Sequence, residues 1–198
     1  MTGTRERIVT ATNELFRRRG YNGTSLKDVT VASGATTGSL YHFFPGGKAE
    51  LAAAVVRETG ATYRELFEAI AAEAAGPVEA IGDFFDGAAA VLEETDYIDV
   101  CPIGTVAREV ASVDADLRAA ADEAFTSWID SAARHLERVG VGPDRARELA
   151  TALVAGLEGG FVLARSRRDA ELLRTVGRQM QQLVASELAA TRTAARRT

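Results

Sequence analysis

Residues 24–48 read TSLKDVTVASGATTGSLYHFFPGGK, and this stretch decides the fold of the N-terminal part of the chain. Ser25 has the hydroxyl of a helix cap, and Gly34 supplies the flexible residue at which a short helix ends. Thr36 or Thr37 then caps a second, very short helix. Two short helices joined by a tight turn are typical of the helix-turn-helix, whose second helix enters the major groove of DNA. The stretch therefore predicts a DNA-binding device.

The second of these helices, the predicted recognition helix, contains Gly38 and has little intrinsic tendency to be helical. Packing must therefore hold it, and we expect Leu40 and Phe44 to be its buried anchors. Small polar and basic side chains at its exposed positions and at neighbouring helix starts are predicted to meet base edges or phosphates. These DNA-facing residues are Thr24, Ser25, Thr36, Thr37, Ser39, Tyr41, His42 and Lys48. Taken alone, Tyr41 and His42 would more often be packing or surface residues.

Positive charge is concentrated at the N-terminal end. Residues 1–48 contain seven Lys and Arg against three Asp and Glu, a net charge of +4, whereas the remaining residues carry −9 and the whole chain −5. Local positive charge is what binds phosphate, so the acidic total does not exclude a nucleic-acid partner. A basic N-terminal helix by itself is usually a solvated face, but here it adjoins the predicted helix-turn-helix.

Helical spacing of apolar residues runs through nearly the whole sequence, and only four prolines interrupt the pattern. The sequence therefore predicts an all-α fold of about nine helices. We expect the helix-turn-helix domain to occupy residues 1–48 and a larger helical domain to occupy residues 49–198. The last helix is predicted to end near Ala189, with residues 191–198 frayed.

The compartment follows from two features of the sequence. A single cysteine builds no intrachain disulfide, which fits a reducing environment. No run of about 18 apolar residues occurs, and the N-terminus MTGTRERIV lacks the apolar core of a signal peptide. We therefore expect a soluble, cytoplasmic protein with no membrane partner.

Aromatic residues concentrate in the larger domain, which holds eight of the chain's thirteen Phe, Tyr and Trp residues. At any single position a core role is the more common one, but as a set they favour a pocket for a flat, lipophilic effector. The candidate ligand-binding residues are Tyr63, Phe67, Phe84, Phe85, Cys101, Phe125, Trp128 and Phe161.

Small residues and leucines form one flat face of the penultimate predicted helix, where Gly156, Gly159 and Gly160 lie with Leu153, Leu157 and Leu163. Such a face lets helices approach closely, and with the last helix it is predicted to form a four-helix contact across a twofold axis. The candidate dimer-interface residues are Leu153, Gly156, Leu157, Gly160, Leu172, Val176, Met180 and Leu183. The alternative is an ordinary core within one chain.

Residues 5–51 resemble the DNA-binding domain of the TetR family of bacterial repressors, and the spelling SGATTGSLYHFFPGGK resembles its LmrA/YxaF-like branch. CPIGTVA at 101–107 and GLEGGFVLAR at 156–165 are similar to the C-terminal domain of that branch. Thr37 and Phe43 depart from the pattern, because relatives often have lysine and histidine there. The residues at motif positions are Ile8, Ala11, Leu15, Phe16, Gly20, Tyr21, Thr24, Asp28, Gly34, Gly38, Leu40, Tyr41, Phe44, Lys48 and Leu51.

This resemblance implies an N-terminal three-helix DNA-binding domain followed by a larger helical ligand-binding domain that dimerises through its last two helices. It implies a repressor that is released by a small lipophilic or aromatic effector and that needs no cofactor. A homodimer presents two recognition helices about one helical turn of DNA apart, which predicts a near-palindromic operator on double-stranded DNA.

The sequence offers little for an enzyme. Gly46-Gly47-Lys48 lacks the earlier glycine and the following Ser or Thr of a phosphate-binding loop. Two histidines in unrelated segments and a single cysteine give no metal-ligand spacing. For Cys101 three roles stay open, a packing thiol, a pocket-lining group and a redox sensor, with packing the most common.

Overall fold

The computed structural model describes residues 3–98, 101–110 and 112–195, which form nine α-helices and contain no strand. The all-α prediction is therefore confirmed. The helices are α1 (Thr4–Arg19), α2 (Leu26–Ser33), α3 (Thr37–Phe43), α4 (Gly47–Glu73), α5 (Pro77–Glu94), α6 (Pro102–Val110), α7 (Ala115–Glu137), α8 (Pro143–Arg167) and α9 (Glu171–Ala195).

The chain divides into two compact units. Unit 1 contains Met1–Thr62 and Asp99–Ala124, and unit 2 contains Tyr63–Ile98 and Phe125–Thr198. Helices α4 and α7 contribute residues to both, and α6 belongs to unit 1 although it follows α5 of unit 2 in the chain. The functional boundary at residue 48 stays a prediction, since compactness alone does not test it.

Unit 1 is built on α1, which packs against α2, α3 and α6. Ile8 and Phe16 of α1 and Val29 of α2 are buried in its core. Leu40 is fully buried and Phe44 is 2% exposed, so both predicted anchors of α3 are confirmed. A helix of only seven residues does not persist alone in water, and this apolar contact holds it in place.

Unit 2 is built on α9, which packs against α5 and α8. Phe85 of α5, Leu153 of α8 and Leu173 of α9 belong to one buried cluster. Gly177 allows α5 and α9 to approach closely, because a Cβ added at this position would lie 2.6 Å from the Cβ of Phe85.

Two sequence expectations differ from the structure. Helix α9 continues to Ala195, six residues beyond the predicted end, so the expected fraying is wrong for 191–195; residues 196–198 lie outside the described residues. The helical spacing of apolar residues also predicts an inward position for Val139, but this residue is 45% exposed, because it follows the end of α7.

Helix α8 is the one helix among the described residues that is long and apolar enough to span a membrane by length and composition. The same composition suits the core helix of a soluble protein. In the single chain 33% of that apolar window is buried, and Val162 and Leu163 are exposed on the same helix.

Candidate functional site

The start of α2 is fixed by a reciprocal pair of hydrogen bonds. The backbone N–H of Asp28 donates to the Ser25 hydroxyl oxygen at 3.1 Å, and the Ser25 N–H donates to a carboxylate oxygen of Asp28 at 2.9 Å. Bonds from the Ser25 hydroxyl and N–H lower the pKa of Asp28, with a smaller contribution from Arg19. Gly34 ends the helix in the left-handed region, at φ +64°. The helix-turn-helix geometry therefore follows from local chemistry.

The third helix is capped in the same way. Thr36 accepts a hydrogen bond from the Ser39 N–H at 3.0 Å, and the hydroxyl oxygens of the two residues also lie 3.0 Å apart. With Leu40 buried beneath, Thr37, Tyr41 and His42 are exposed, and Tyr41 has 49% of its surface free. α3 thus presents a short polar and aromatic face.

Four of the predicted DNA-facing residues have hydroxyls engaged within the chain. The Ser39 hydroxyl lies 3.0 Å from that of Thr36, and the other three belong to Thr24, Ser25 and Thr36. Thr24 is 2% exposed, and its hydroxyl donates to the carbonyl oxygen of Gly20 at 2.8 Å. The hydroxyls of Ser25 and Thr36 serve as helix caps. These groups hold the helices in place, whereas Thr37, Tyr41 and His42 have exposed side chains.

Lys48, in the first turn of α4, is held by an aromatic ring. Its ammonium nitrogen lies 4.2 Å from the ring centroid of Tyr21, within the range of a cation–π interaction. Partial burial lowers the pKa of Lys48, and the carboxylate of Glu109 opposes that shift. Burial also raises the pKa of Tyr21, with a further contribution from Asp114. The predicted phosphate contact at Lys48 therefore lies beside acidic groups from outside residues 1–48.

Glu109 of α6 contacts the turn between α1 and α2. The backbone N–H of Asn22 donates to Oε2 of Glu109 at 2.7 Å. Oε1 of the same carboxylate occupies the space where a Cβ at Gly20 would stand. Sequence reasoning missed this residue, because no local signal links two positions 87 residues apart.

Unit 2 contains a cleft of about 160 Å³. The ring of Phe67 lies on its wall, with ring centroids of Phe84 and His135 at 5.5 Å and 5.6 Å in edge-to-face geometry. Burial lowers the pKa of His135; the charges of Arg138 and Arg134 act in the same direction, against Glu68. The lining is otherwise mostly apolar and consists of Phe67, Ala71, Gly76, Pro77, Ala80, Ile81, Ala132, His135, Leu136, Arg138, Val139 and Leu153.

The eight predicted ligand residues do not converge on this cleft. Phe67 lines it and Phe84 packs behind Phe67, while Tyr63 and Phe125 surround Trp128, with ring centroids 6.1 Å and 5.5 Å from it. The remaining three lie elsewhere. Phe85 is in the core beside α9, and Phe161 is half-buried on α8. Cys101 is buried in unit 1, where its sulfur accepts a hydrogen bond from the Gly104 N–H at 3.5 Å.

The predicted dimer residues fall into two groups. Leu153, Leu157 and Gly160 are already covered by the core of their own chain. Gly156, Leu172, Val176 and Met180 are half-buried, and Leu183 is 37% exposed. Beside them on α8 lies a more open strip of small and apolar residues, formed by Ala155, Gly159, Val162 and Leu163.

Metal chemistry finds no support in the described part of the chain. No three His, Cys, Asp or Glu side chains there lie close enough together to hold an ion.

Known proteins resemble this chain over most of its length. Residues 8–55 match the model described as bacterial regulatory proteins, tetR family, and residues 77–179 match that of the transcriptional regulator LmrA/YxaF-like, C-terminal domain. The HTH-type transcriptional regulator YxaF of Bacillus subtilis is 36% identical over 180 residues, which cover 91% of this chain and 94% of the relative. An HTH-type transcriptional regulator of Mycobacterium tuberculosis is 38% identical, covering 95% and 97%. The crystal structure of a TetR transcriptional regulator from Legionella pneumophila has a TM-score of 0.82 and 26% identity, covering 92% and 98%.

Proposed function

Because this chain belongs to the LmrA/YxaF-like branch of the TetR family of bacterial transcriptional regulators, which are not enzymes, we propose that it is a ligand-responsive repressor. It binds a near-palindromic operator as a homodimer in the cytoplasm, and a small lipophilic or aromatic effector releases it. The observation that carries this proposal is the exposed face of α3, held between a capped α2 and the buried Leu40.

In this proposal α3 lies in the major groove. Thr37, Ser39 and Tyr41 approach base edges, and His42 and Lys48 meet phosphates. Thr24, Ser25 and Thr36 act at the same interface mainly by fixing helix ends, since their hydroxyls are engaged inside the chain. Side chains this small read few bases each, so specificity depends on two copies bound together.

A gel-shift titration tests DNA recognition. We expect the protein to prefer a palindromic duplex, selected from a random pool, over a scrambled duplex of equal length and composition. Tyr41→Ala should weaken binding to the selected duplex about tenfold or more, since each good base contact is worth roughly 1–3 kcal/mol. Equal affinity of the wild-type protein for both duplexes would contradict the proposal.

The second copy is proposed to cover the open side of α8. Ala155 and Gly159 are small and exposed, a Cβ added at Gly159 meets nothing within 4 Å, and Leu163 is 54% exposed. Such a surface allows two helices to pack closely and removes apolar area from water. The predicted residues on α9 that remain accessible, above all Leu183, extend the same contact.

Sedimentation velocity tests this interface. Leu163→Glu should convert the dimer into a species of the 21.0 kDa chain mass. Leu66→Glu is the matched control, because Leu66 is 50% exposed on α4 and lies outside the proposed contact. A wild-type protein that sediments as a monomer at micromolar concentration would overturn the dimer.

The effector site is proposed to be the cleft beside Phe67. Its volume of about 160 Å³ is close to that of an apolar cavity that accepts a single aromatic ring, so we expect a one-ring ligand or one ring of a larger ligand. The effector must bind the DNA-free state more tightly, because release is limited by its differential affinity for the two states.

Release of a labelled operator by toluene, phenol and benzoate tests the cleft. At least one of these probes should release DNA from the wild-type protein, and Ala71→Phe, which fills the cleft from α4, should abolish that response. Leu66→Phe adds the same ring at an exposed position and should leave it intact. Full release from Ala71→Phe would rule out this cleft as the effector site.

A further inference from the structure

The turn that joins α1 to α2 is held from outside the helix-turn-helix. Its backbone is tight: the Thr24 N–H donates to the Tyr21 carbonyl at 3.1 Å, and the Thr24 hydroxyl donates to the Gly20 carbonyl. The Asn22 N–H points out of this turn and donates to Glu109 of α6 at 2.7 Å. Ser25, the cap of α2, follows three residues later. The bond to Asn22 therefore fixes the backbone close to the start of the helix-turn-helix.

Gly20 makes this contact possible. Its φ of +73° favours glycine, and its missing side chain leaves the space that Oε1 of Glu109 fills. Any larger residue at position 20 would push the carboxylate off the turn. One oxygen of Glu109 thus lies against Gly20 while the other accepts the Asn22 N–H.

The same carboxylate acts on Lys48. Lys48 lies over the ring of Tyr21, which belongs to the turn, and Glu109 interacts electrostatically with the ammonium group. The turn, the lysine and the acid therefore form one connected group within unit 1. α6 lies inside residues 77–179, which match the C-terminal domain model, yet it packs on α1.

We propose that Glu109 is a positioning residue for DNA binding, which fastens α6 to the α1–α2 turn and so sets where α2, α3 and Lys48 meet the duplex. This inference rests on the proposed function, because that proposal assigns α3 and Lys48 to DNA. A charge-assisted hydrogen bond to a backbone N–H is directional, and it fixes the turn more tightly than packing alone. The acid itself makes no contact with DNA in this arrangement.

Fluorescence anisotropy with a duplex selected by the wild-type protein from a random pool tests the proposal. Glu109→Ala should lower affinity for that duplex about tenfold, within the usual range for coupling between two elements. Glu109→Gln keeps an oxygen that accepts the Asn22 N–H, so its affinity should stay within about threefold of wild type. Asp122→Ala removes a carboxylate from an exposed position of α7 in the same unit and controls for the change in charge.

Amide hydrogen exchange reports on the Asn22 hydrogen bond directly, which DNA affinity does not. In DNA-free protein the Asn22 N–H should exchange about tenfold faster in Glu109→Ala than in wild type, while amides in the middle of α1 keep their protection. If amides throughout Glu109→Ala lose protection, that variant has unfolded, and Glu109→Gln alone decides. Equal exchange of the Asn22 N–H in Glu109→Gln and in wild type then supports the bond.

Three outcomes would overturn the role of Glu109. The first is a Glu109→Ala affinity equal to that of Asp122→Ala. The second is an Asn22 N–H that exchanges at the same rate in folded Glu109→Ala as in wild type. The third is a Glu109→Gln affinity as low as that of Glu109→Ala, which would assign the effect to charge near Lys48. A wild-type protein that enriches no duplex would instead overturn the proposed function itself.

Discussion

The helix-turn-helix of unit 1 and the α8–α9 pair of unit 2 use small residues in opposite ways. In unit 1 they lie at the ends of helices: Ser25 and Thr36 cap the starts of α2 and α3, and Gly34 terminates α2. In unit 2 they lie inside helices of 25 residues each, where they set how closely a neighbour approaches. Helix ends follow from local chemistry, whereas the use of a helix face depends on what covers it.

The largest expected effect concerns the packing of α3. Leu40→Ala should lower the free energy of unfolding by about 2–5 kcal/mol, because it empties a fully buried site beneath a helix too short to stand alone. His42→Ala removes an exposed side chain of the same helix and should change stability by less than about 0.5 kcal/mol. Urea unfolding measures both. If Leu40→Ala lowered the free energy of unfolding as little as His42→Ala does, the helix caps alone would hold α3.

Glycines inside unit 2 give the next effect. Gly177→Ala should cost about 1–3 kcal/mol, because its Cβ would lie 2.6 Å from the Cβ of Phe85. Gly159→Ala meets open space in the single chain and should gain up to about 1 kcal/mol from helix propensity. Thermal unfolding at fixed protein concentration measures the difference. That gain applies to the single chain. In the proposed dimer a partner helix covers Gly159, so Gly159→Ala should also weaken dimerisation, and dimerisation as tight as that of wild type would contradict the α8 contact.

A smaller difference in stability is expected between replacing a serine that caps a helix and replacing one inside a helix. Ser25→Ala removes the capping box of α2 and should cost about 1 kcal/mol. The same change at Ser186, an exposed position inside α9, should raise stability by a few tenths of a kcal/mol, about the difference in helix propensity between serine and alanine. Chemical denaturation of both variants checks the sign. Equal effects would contradict a local origin for the start of α2.

The smallest effect is a pH dependence in unit 2. Burial lowers the pKa of His135 from its ordinary value of 6.5, so the unfolded chain takes up this proton more readily than the folded chain. Stability should therefore fall as pH drops from about 6.5 to the lowered pKa of the folded state. His135→Gln should flatten that part of the curve, as measured by urea midpoints across this range. An unchanged curve would mean that the ring is as well solvated as an exposed histidine.

The sequence predicted the helix-turn-helix well because its signals act over three or four residues. The caps at Ser25 and Thr36 and the buried anchors Leu40 and Phe44 are all present in the structure. The end of α9 was less predictable, because nothing in the polar sequence after Ala189 stops a helix by itself.

The assignment of side chains to faces was harder. The predicted ligand residues fall into separate aromatic groups, since one helical stripe of aromatic residues serves a core, a cleft or a surface equally well. Thr24 was expected at the DNA surface, but its hydroxyl turns inward to Gly20. Such choices depend on neighbours that are distant in sequence.

By itself the sequence determined the helices, their caps and the family, because capping groups, glycine stops and apolar periodicity act within a few residues of chain. The tertiary structure alone decided that α6 packs beside α1, that Glu109 meets Asn22 and that part of α8 stays uncovered. The physical reason is range: hydrogen bonds along a helix are set by neighbouring residues, whereas contacts between helices join residues that only folding brings together.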